Sequence, residues 1–236
     1  MKIHCFILFL IGSVNQSAVE KEYLLGRFDP AHHSRFVQLT SSYAQGSALN
    51  GYLRQETFEA FQKMAVAANK DGVGLFIISA TRNFDSQKKI WENKWNGKTQ
   101  VEGKNLTTIS DLKERARLIL LYSSMPNTSR HHWGTDMDLN SLDNDYFSTD
   151  EGLKIYEWLT AHAGEFGFCQ PYTSKTGGRA GYEEEKWHWS YLPLSKLFLE
   201  EYKKQISYAD ITGFEGSDQA LSLRVISNYV DGVACR

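Results

Sequence analysis

Proline is scarce in this chain, four in 236 residues, so no Pro-rich linker divides it. Charge of one sign is scarce too: 26 Lys and Arg face 28 Asp and Glu, for a formal net charge of −2. That balance lacks the clustered basic excess expected of a nucleic-acid binder. Beyond the N-terminus no apolar run is long enough to cross a bilayer. Internal repeats and low-complexity tracts are absent as well. What is present is 42% hydrophobic and 13% aromatic, ample for the buried core of one domain.

The first residues differ from the rest. Lys2 and His4 precede Phe6-Ile7-Leu8-Phe9-Leu10-Ile11, and Gly12, Ser13 and a small, polar stretch run on to Ala18. A basic start, a short apolar core and small residues read as a secretory signal peptide over residues 1–18. Its removal predicts an exported protein, periplasmic or extracellular, with no stable membrane span. Cys5 lies before the apolar run, so a lipoprotein anchor is not indicated. Cys169 and Cys235 then remain, either as a disulfide or as two thiols, because sequence does not supply the distance a bridge requires.

Periodicity outlines the elements. Phe58, Phe61, Met64, Ala65 and Ala68 recur at helical spacing over residues 56–70, and Asp71-Gly72 ends that helix. A buried strand is expected over 75–78 and a helix over 85–95, apolar at Ile90, Trp91 and Trp95. Ser110 is read as the cap of a third helix striped by Leu112, Ala116 and Ile119. Residues 134–140 read as a strand. Ser148 to Glu151 reads as a capping box opening a helix that turns Leu153, Tyr156 and Leu159 inward. A short strand over 187–191 and helices over 194–204 and 218–230 complete the chain. Strands and helices do not alternate regularly, so an α+β fold is expected rather than a doubly wound parallel sheet.

Two stretches concentrate metal-ligand residues. One is Ser129-Arg130-His131-His132-Trp133-Gly134-Thr135-Asp136-Met137-Asp138; the other is Glu185-Lys186-Trp187-His188. A catalytic zinc keeps three imidazole or carboxylate ligands and one open position for water. His131, Asp138 and His188 supply that set, with Glu185 as a carboxylate free to deprotonate water. The helical pattern of two histidines four apart around a glutamate is absent. On one regular strand His131 and Asp138, seven apart, would face opposite sides. Gly134 is therefore expected to break the strand, leaving His131 in a loop, and a bend at Glu185 is expected to bring it round to His188.

These segments resemble the Ser-x-His-x-x-Gly-x-x-x-Asp and Glu-x-Trp-His signatures of VanY-type D-alanyl-D-alanine carboxypeptidases. That family shares a fold with lysostaphin and the hedgehog signalling domain. Ser79-Ala80-Thr81-Arg82-Asn83-Phe84-Asp85-Ser86-Gln87 is similar to the family's arginine-and-glutamine segment, so the likeness runs from about Leu75 to Tyr191. The resemblance implies a small central antiparallel sheet carrying the zinc site and flanked by helices. It implies one zinc ion per chain held by His131, Asp138 and His188, and catalysis by Glu185 with Arg82. Substrate contact is implied for Arg82, Gln87 and Ser129. The expected domain plan is a single peptidase domain over 19–236, with an N-terminal extension over 19–55, a motif-bearing core over 56–206 and a helical segment over 207–236, the parts before Leu75 and beyond Leu192 lying outside the likeness.

The implied substrate is a peptidoglycan stem peptide ending in D-alanine. The alternatives are a peptidoglycan endopeptidase, an L,D-carboxypeptidase, or a catalytically silent zinc-stabilised binding module. Glu185 speaks against the last, since a purely structural zinc has no need of a free base. Asp136 departs from the small residue common in the family; sharing a strand face with Asp138, it either adds negative charge beside the metal or alters substrate choice. His132 is read as supporting the site or lying on the surface, and Glu183 and Glu184 as solvated. Trp187, Trp189 and Tyr191 share one strand face and are read as core. Asn127-Thr128-Ser129 fits a glycosylation sequon, but a glycan there would obstruct the cleft.

Overall fold

Four short antiparallel strands form the sheet that organises the molecule. In the computed structural model, which describes residues 19–235, these are β3 (Ile77–Ser79), β4 (Asp136–Leu139), β5 (Phe168–Cys169) and β6 (His188–Tyr191), in the order β3-β4-β6-β5. The expected signal segment, 1–18, lies outside the described residues. A separate pair, β1 (Phe36–Gln38) and β2 (Tyr52–Arg54), precedes the sheet. The α+β reading therefore holds, with helices around a small antiparallel sheet.

Register sorts the side chains. Asp136 pairs with Ser190, Met137 with Trp189, and Asp138 with His188. Successive strand residues alternate faces, so Asp136, Asp138, His188 and Ser190 share one face while Met137, Leu139 and Trp189 share the other. The second face is apolar and packs on α2 (Gln55–Lys70), through Phe61, Met64, Ala65 and Ala68, and on α5 (Asp150–His162), through Ile155, Trp158 and Leu159. A second apolar cluster joins α1 (Lys21–Leu24), α3 (Phe84–Trp95), α4 (Leu112–Ile119) and α6 (Leu192–Gln205), with Trp133 among its members. None of the described helices is long and apolar enough to cross a membrane.

Several local expectations need correction. The cap of α4 is Asp111, which accepts from the Lys113 and Glu114 amides, and Leu112 is exposed while Leu118 is buried. Thr149 rather than Ser148 caps α5, accepting from the Gly152 amide at 3.2 Å. That start rotates Ile155 and Trp158 inward and leaves Leu153 exposed. The strand expected over 75–78 starts two residues later and ends one later, at Ile77–Ser79. Residues 218–230 do not form one helix: Arg224 adopts a positive φ of 52°, and only a π-helical turn, Ile226–Val230, follows it. Cys169 and Cys235 form a disulfide, with 6.4 Å between their Cα atoms.

Candidate active site

Gly134 decides how His131 and Asp138 meet. It adopts the left-handed conformation at φ 71° and ends the 3-10 turn Arg130–Trp133, after which the chain extends into β4. Glycine alone reaches that conformation without strain. His131 thus sits on the turn and Asp138 on the strand, 3.4 Å apart between Nε2 and Oδ1. Glu185 precedes a turn in which the His188 amide donates to the Glu185 carbonyl. That turn brings the Glu185 Oε2 to 3.4 Å from His188 Nδ1, although the two would oppose each other on a regular strand.

The ring nitrogens are assigned by their partners. His131 Nδ1 lies 2.9 Å from the Ala80 carbonyl, which only an N–H satisfies, so Nε2 carries the lone pair. His188 Nε2 lies 2.9 Å from Asp136 Oδ2, which turns Nδ1 toward Asp138, 3.1 Å away. One ligand atom from each of His131, Asp138 and His188 falls within 4.8 Å of the others. His131 Nε2 and Asp138 Oδ1 are buried without hydrogen-bond partners. Orphaned buried donors and acceptors are costly unless something engages them. Two imidazoles and a carboxylate, with orphaned atoms facing one point, fit a zinc ion with an open position. Burial opposes protonation of His188, but Asp136, Asp138 and Glu185 together raise its pKa well above the usual histidine value.

Asp136 supports this arrangement from behind. It accepts from Arg130 Nε at 2.9 Å, Ser190 Oγ at 2.9 Å and Thr135 Oγ1 at 2.7 Å. Burial pushes its carboxyl up, yet Arg130 and His188 outweigh that and hold it below the ordinary carboxylate range. Its charge is therefore matched by Arg130 and separated from Asp138 by the His188 ring. Sequence reasoning placed Asp136 near the metal but missed Arg130 and Ser190; the position of Ser190 two residues after His188, on the same face, was the available signal. His132 is fully buried, with Nδ1 on the Arg82 carbonyl, and burial drives its pKa down to about 3. It is a neutral ring bracing the segment that carries Arg82.

A cleft of about 880 Å³ opens onto Asp138 and Glu185, with Arg82 and Trp187 in its walls. Glu185 is itself buried, and burial raises its pKa. Gln87 and Ser129 lie elsewhere. Gln87 shares a stripe with Trp91 and Trp95 on the buried side of α3, and its amide donates to the Ser124 carbonyl. Ser129 is buried at the start of the 3-10 turn, its hydroxyl unpartnered. Trp187 and Trp189 are buried in the core cluster with Tyr191 packed against it. Asn127 is fully buried, its amide donating to the Leu25 carbonyl, a setting that admits no glycan.

Three residues that could hold a metal ion, beside a buried glutamate on an α+β sheet, make a candidate metallopeptidase-like site. The D-alanyl-D-alanine carboxypeptidase (VanY) family model matches residues 50–194, and the chain belongs to that family. Among curated proteins it is 28% identical over 169 residues to the putative carboxypeptidase YodJ of Bacillus subtilis. That match covers 66% of this chain and 55% of YodJ, so the chain spans just over half of its relative. Among solved structures, the peptidoglycan-recognising LD-carboxypeptidase LdcB aligns with a TM-score of 0.53 at 24% identity, over 77% of this chain and 81% of LdcB. The zinc-bound D,D-pentapeptidase VanY from a VanB-type vancomycin resistance cassette aligns at 0.52 and 20% identity, over 81% of this chain and 92% of VanY. These two share the fold.

Proposed function

We propose that this protein is a zinc carboxypeptidase that removes the C-terminal D-alanine from peptidoglycan stem peptides outside the cytoplasm. The observation that carries the reading is Glu185: a buried carboxylate beside the three candidate ligands, at the cleft, with no Lys or Arg paired to it among the described residues. A structural metal site has no use for such a group. The Cys169–Cys235 disulfide supports an oxidising, extracytoplasmic location.

His131 Nε2, Asp138 and His188 Nδ1 would hold one zinc ion. Zinc, when bound, supplies Lewis acidity toward water and the scissile carbonyl. Glu185 takes the proton of the attacking water and returns it to the leaving amine nitrogen. Asp136 fixes His188 so that Nδ1 faces the site. Arg82 offers its planar fork to the terminal carboxylate of the peptide.

The test incubates purified protein with a synthetic stem pentapeptide and its C-terminal amide and identifies products by mass spectrometry. Release of single D-alanine from the free acid is expected, with amidation lowering kcat/KM by roughly tenfold to a hundredfold. Glu185→Gln should keep its zinc yet lose at least about 10²-fold in turnover. Equal cleavage of acid and amide would reject the carboxypeptidase reading, and internal fragments would point to an endopeptidase.

A further inference from the structure

Helix α3 forms one wall of the cleft with Ser86, Ile90 and Lys94, three residues at intervals of four. This stripe lies one position before the buried stripe of Gln87, Trp91 and Trp95. Lys94 is half-buried and donates to Ser123 Oγ at 2.5 Å. Among the described residues no carboxylate lies within ion-pair distance of it. A partly desolvated ammonium with a single neutral partner is unfavourable. Burial and Arg82 both depress its pKa, and Glu185 alone offsets them. The cleft therefore holds a second cation that, among the described residues, has no carboxylate at ion-pair distance, Glu185 acting on it only from farther away.

Arg82 and Lys94 reach the cleft from opposite ends of α3, although their charges act on each other. Arg82 stands just before the first turn of α3 and Lys94 in its last turn. At 1.5 Å per residue, the Phe84 and Lys94 backbones are about 15 Å apart along the helix axis. A carboxylate gripped by the Arg82 fork has both oxygens engaged. In a carboxypeptidase that group is the chain end, and the remainder of the peptide lies upstream of the scissile bond. We propose that Lys94, with Ser123, binds a second carboxylate of the peptide, on a residue upstream of that bond. The proposal rests on the carboxypeptidase reading above. Stem peptides offer such a carboxylate in two places: on a dicarboxylic diamino acid at the third residue, or as the α-carboxylate of a γ-linked glutamate.

Calorimetric titration of zinc-loaded Glu185→Gln protein separates binding from cleavage. Four peptides are compared: the parent with the dicarboxylic diamino acid, the same with that side-chain carboxylate amidated, the same with lysine in its place, and the parent with the glutamate α-carboxylate amidated. Loss of the carboxylate that Lys94 reads should weaken binding about 10- to 100-fold, and the arm that loses affinity identifies the source. Adding Lys94→Met should bring the parent and that arm to equal affinity while leaving the penalty for C-terminal amidation in place. Uniform affinity across the four peptides in the Lys94-bearing protein would overturn the proposal without recourse to the variant. Loss of the C-terminal amidation penalty in Lys94→Met would do so as well, since Lys94 would then be reading the chain end. Carboxylate-dependent binding by a protein whose unsubstituted form releases no alanine would leave this site standing and reject the carboxypeptidase reading.

Discussion

Asp136 illustrates what a single residue contributes to a site it does not line. Its carboxylate accepts from His188 Nε2 and is balanced by Arg130. Carboxylates that orient a ligating imidazole typically contribute 10–100-fold in metal affinity. Asp136→Asn should therefore weaken zinc binding by about that factor, measured by competition with a chromophoric chelator on folded protein. Parental affinity in that variant would show that His188 is oriented by packing alone. The same change leaves Arg130 buried beside a neutral amide, and breaking a buried pair costs roughly 3–5 kcal/mol. A lowered denaturation midpoint should accompany it. The candidate ligands were legible because their residue types and spacing match a family signature. The part played by Asp136 was not, because it depends on Arg130 from a turn and Ser190 from another strand meeting at one point. Gln87 is a different case: a motif position suggests substrate contact, while its side chain is buried on the stripe it shares with Trp91 and Trp95, its amide on the Ser124 carbonyl.

At the scale of elements, long periodic stretches were readable and their ends were not. The reading of α2 was correct in span because its apolar stripe repeats over four turns and Gly72, at φ 71°, stops it. The starts of α4 and α5 were misplaced by one residue because adjacent polar residues compete for the capping role, and local geometry chooses between them. The parity conflict within the motif was the most informative sequence signal, since it required a break between His131 and Asp138. Gly134 supplies it. A β-carbon there would stand 2.5 Å from Phe36 Cε1 and 3.0 Å from Arg54 Cγ. The left-handed conformation itself costs a non-glycine residue about 1–2 kcal/mol. Gly134→Ala should lower the melting temperature by several degrees and weaken zinc binding by shifting His131 relative to β4. Thermal unfolding with and without added zinc would check both. A variant with an unchanged melting temperature would mean that the turn relaxes without strain and that Gly134 is dispensable.

The whole molecule adds a constraint that no local pattern revealed. Cys169 lies on β5, next to β6 in the sheet, and Cys235 is 66 residues further along the chain. Between them run β6 with His188, all of α6, and a tail that buries Val230 and Val233. The Ala234 amide also donates to the Pro171 carbonyl, and Arg179 reaches the Gly232 carbonyl. The tail is thus fastened to the sheet edge by a covalent bond and by backbone contacts. Sequence left the pairing open because the distance between two cysteines is a property of the folded chain. In the chain-entropy account a closed loop of this length restricts the unfolded state by about 4 kcal/mol. Cys235→Ser should therefore lower the unfolding free energy in denaturant by an amount of that order. The candidate ligands lie on the 3-10 turn, β4 and β6, none in the tail, and the backbone contacts still hold the tail once the bond is gone. Zinc content at low denaturant should accordingly equal that of the parent. Equal midpoints for the two proteins would mean that the tail's contacts, rather than the disulfide, set its stability. Loss of zinc from a folded Cys235→Ser protein would mean that the tether positions β6, and so couples the chain's last residues to the active site.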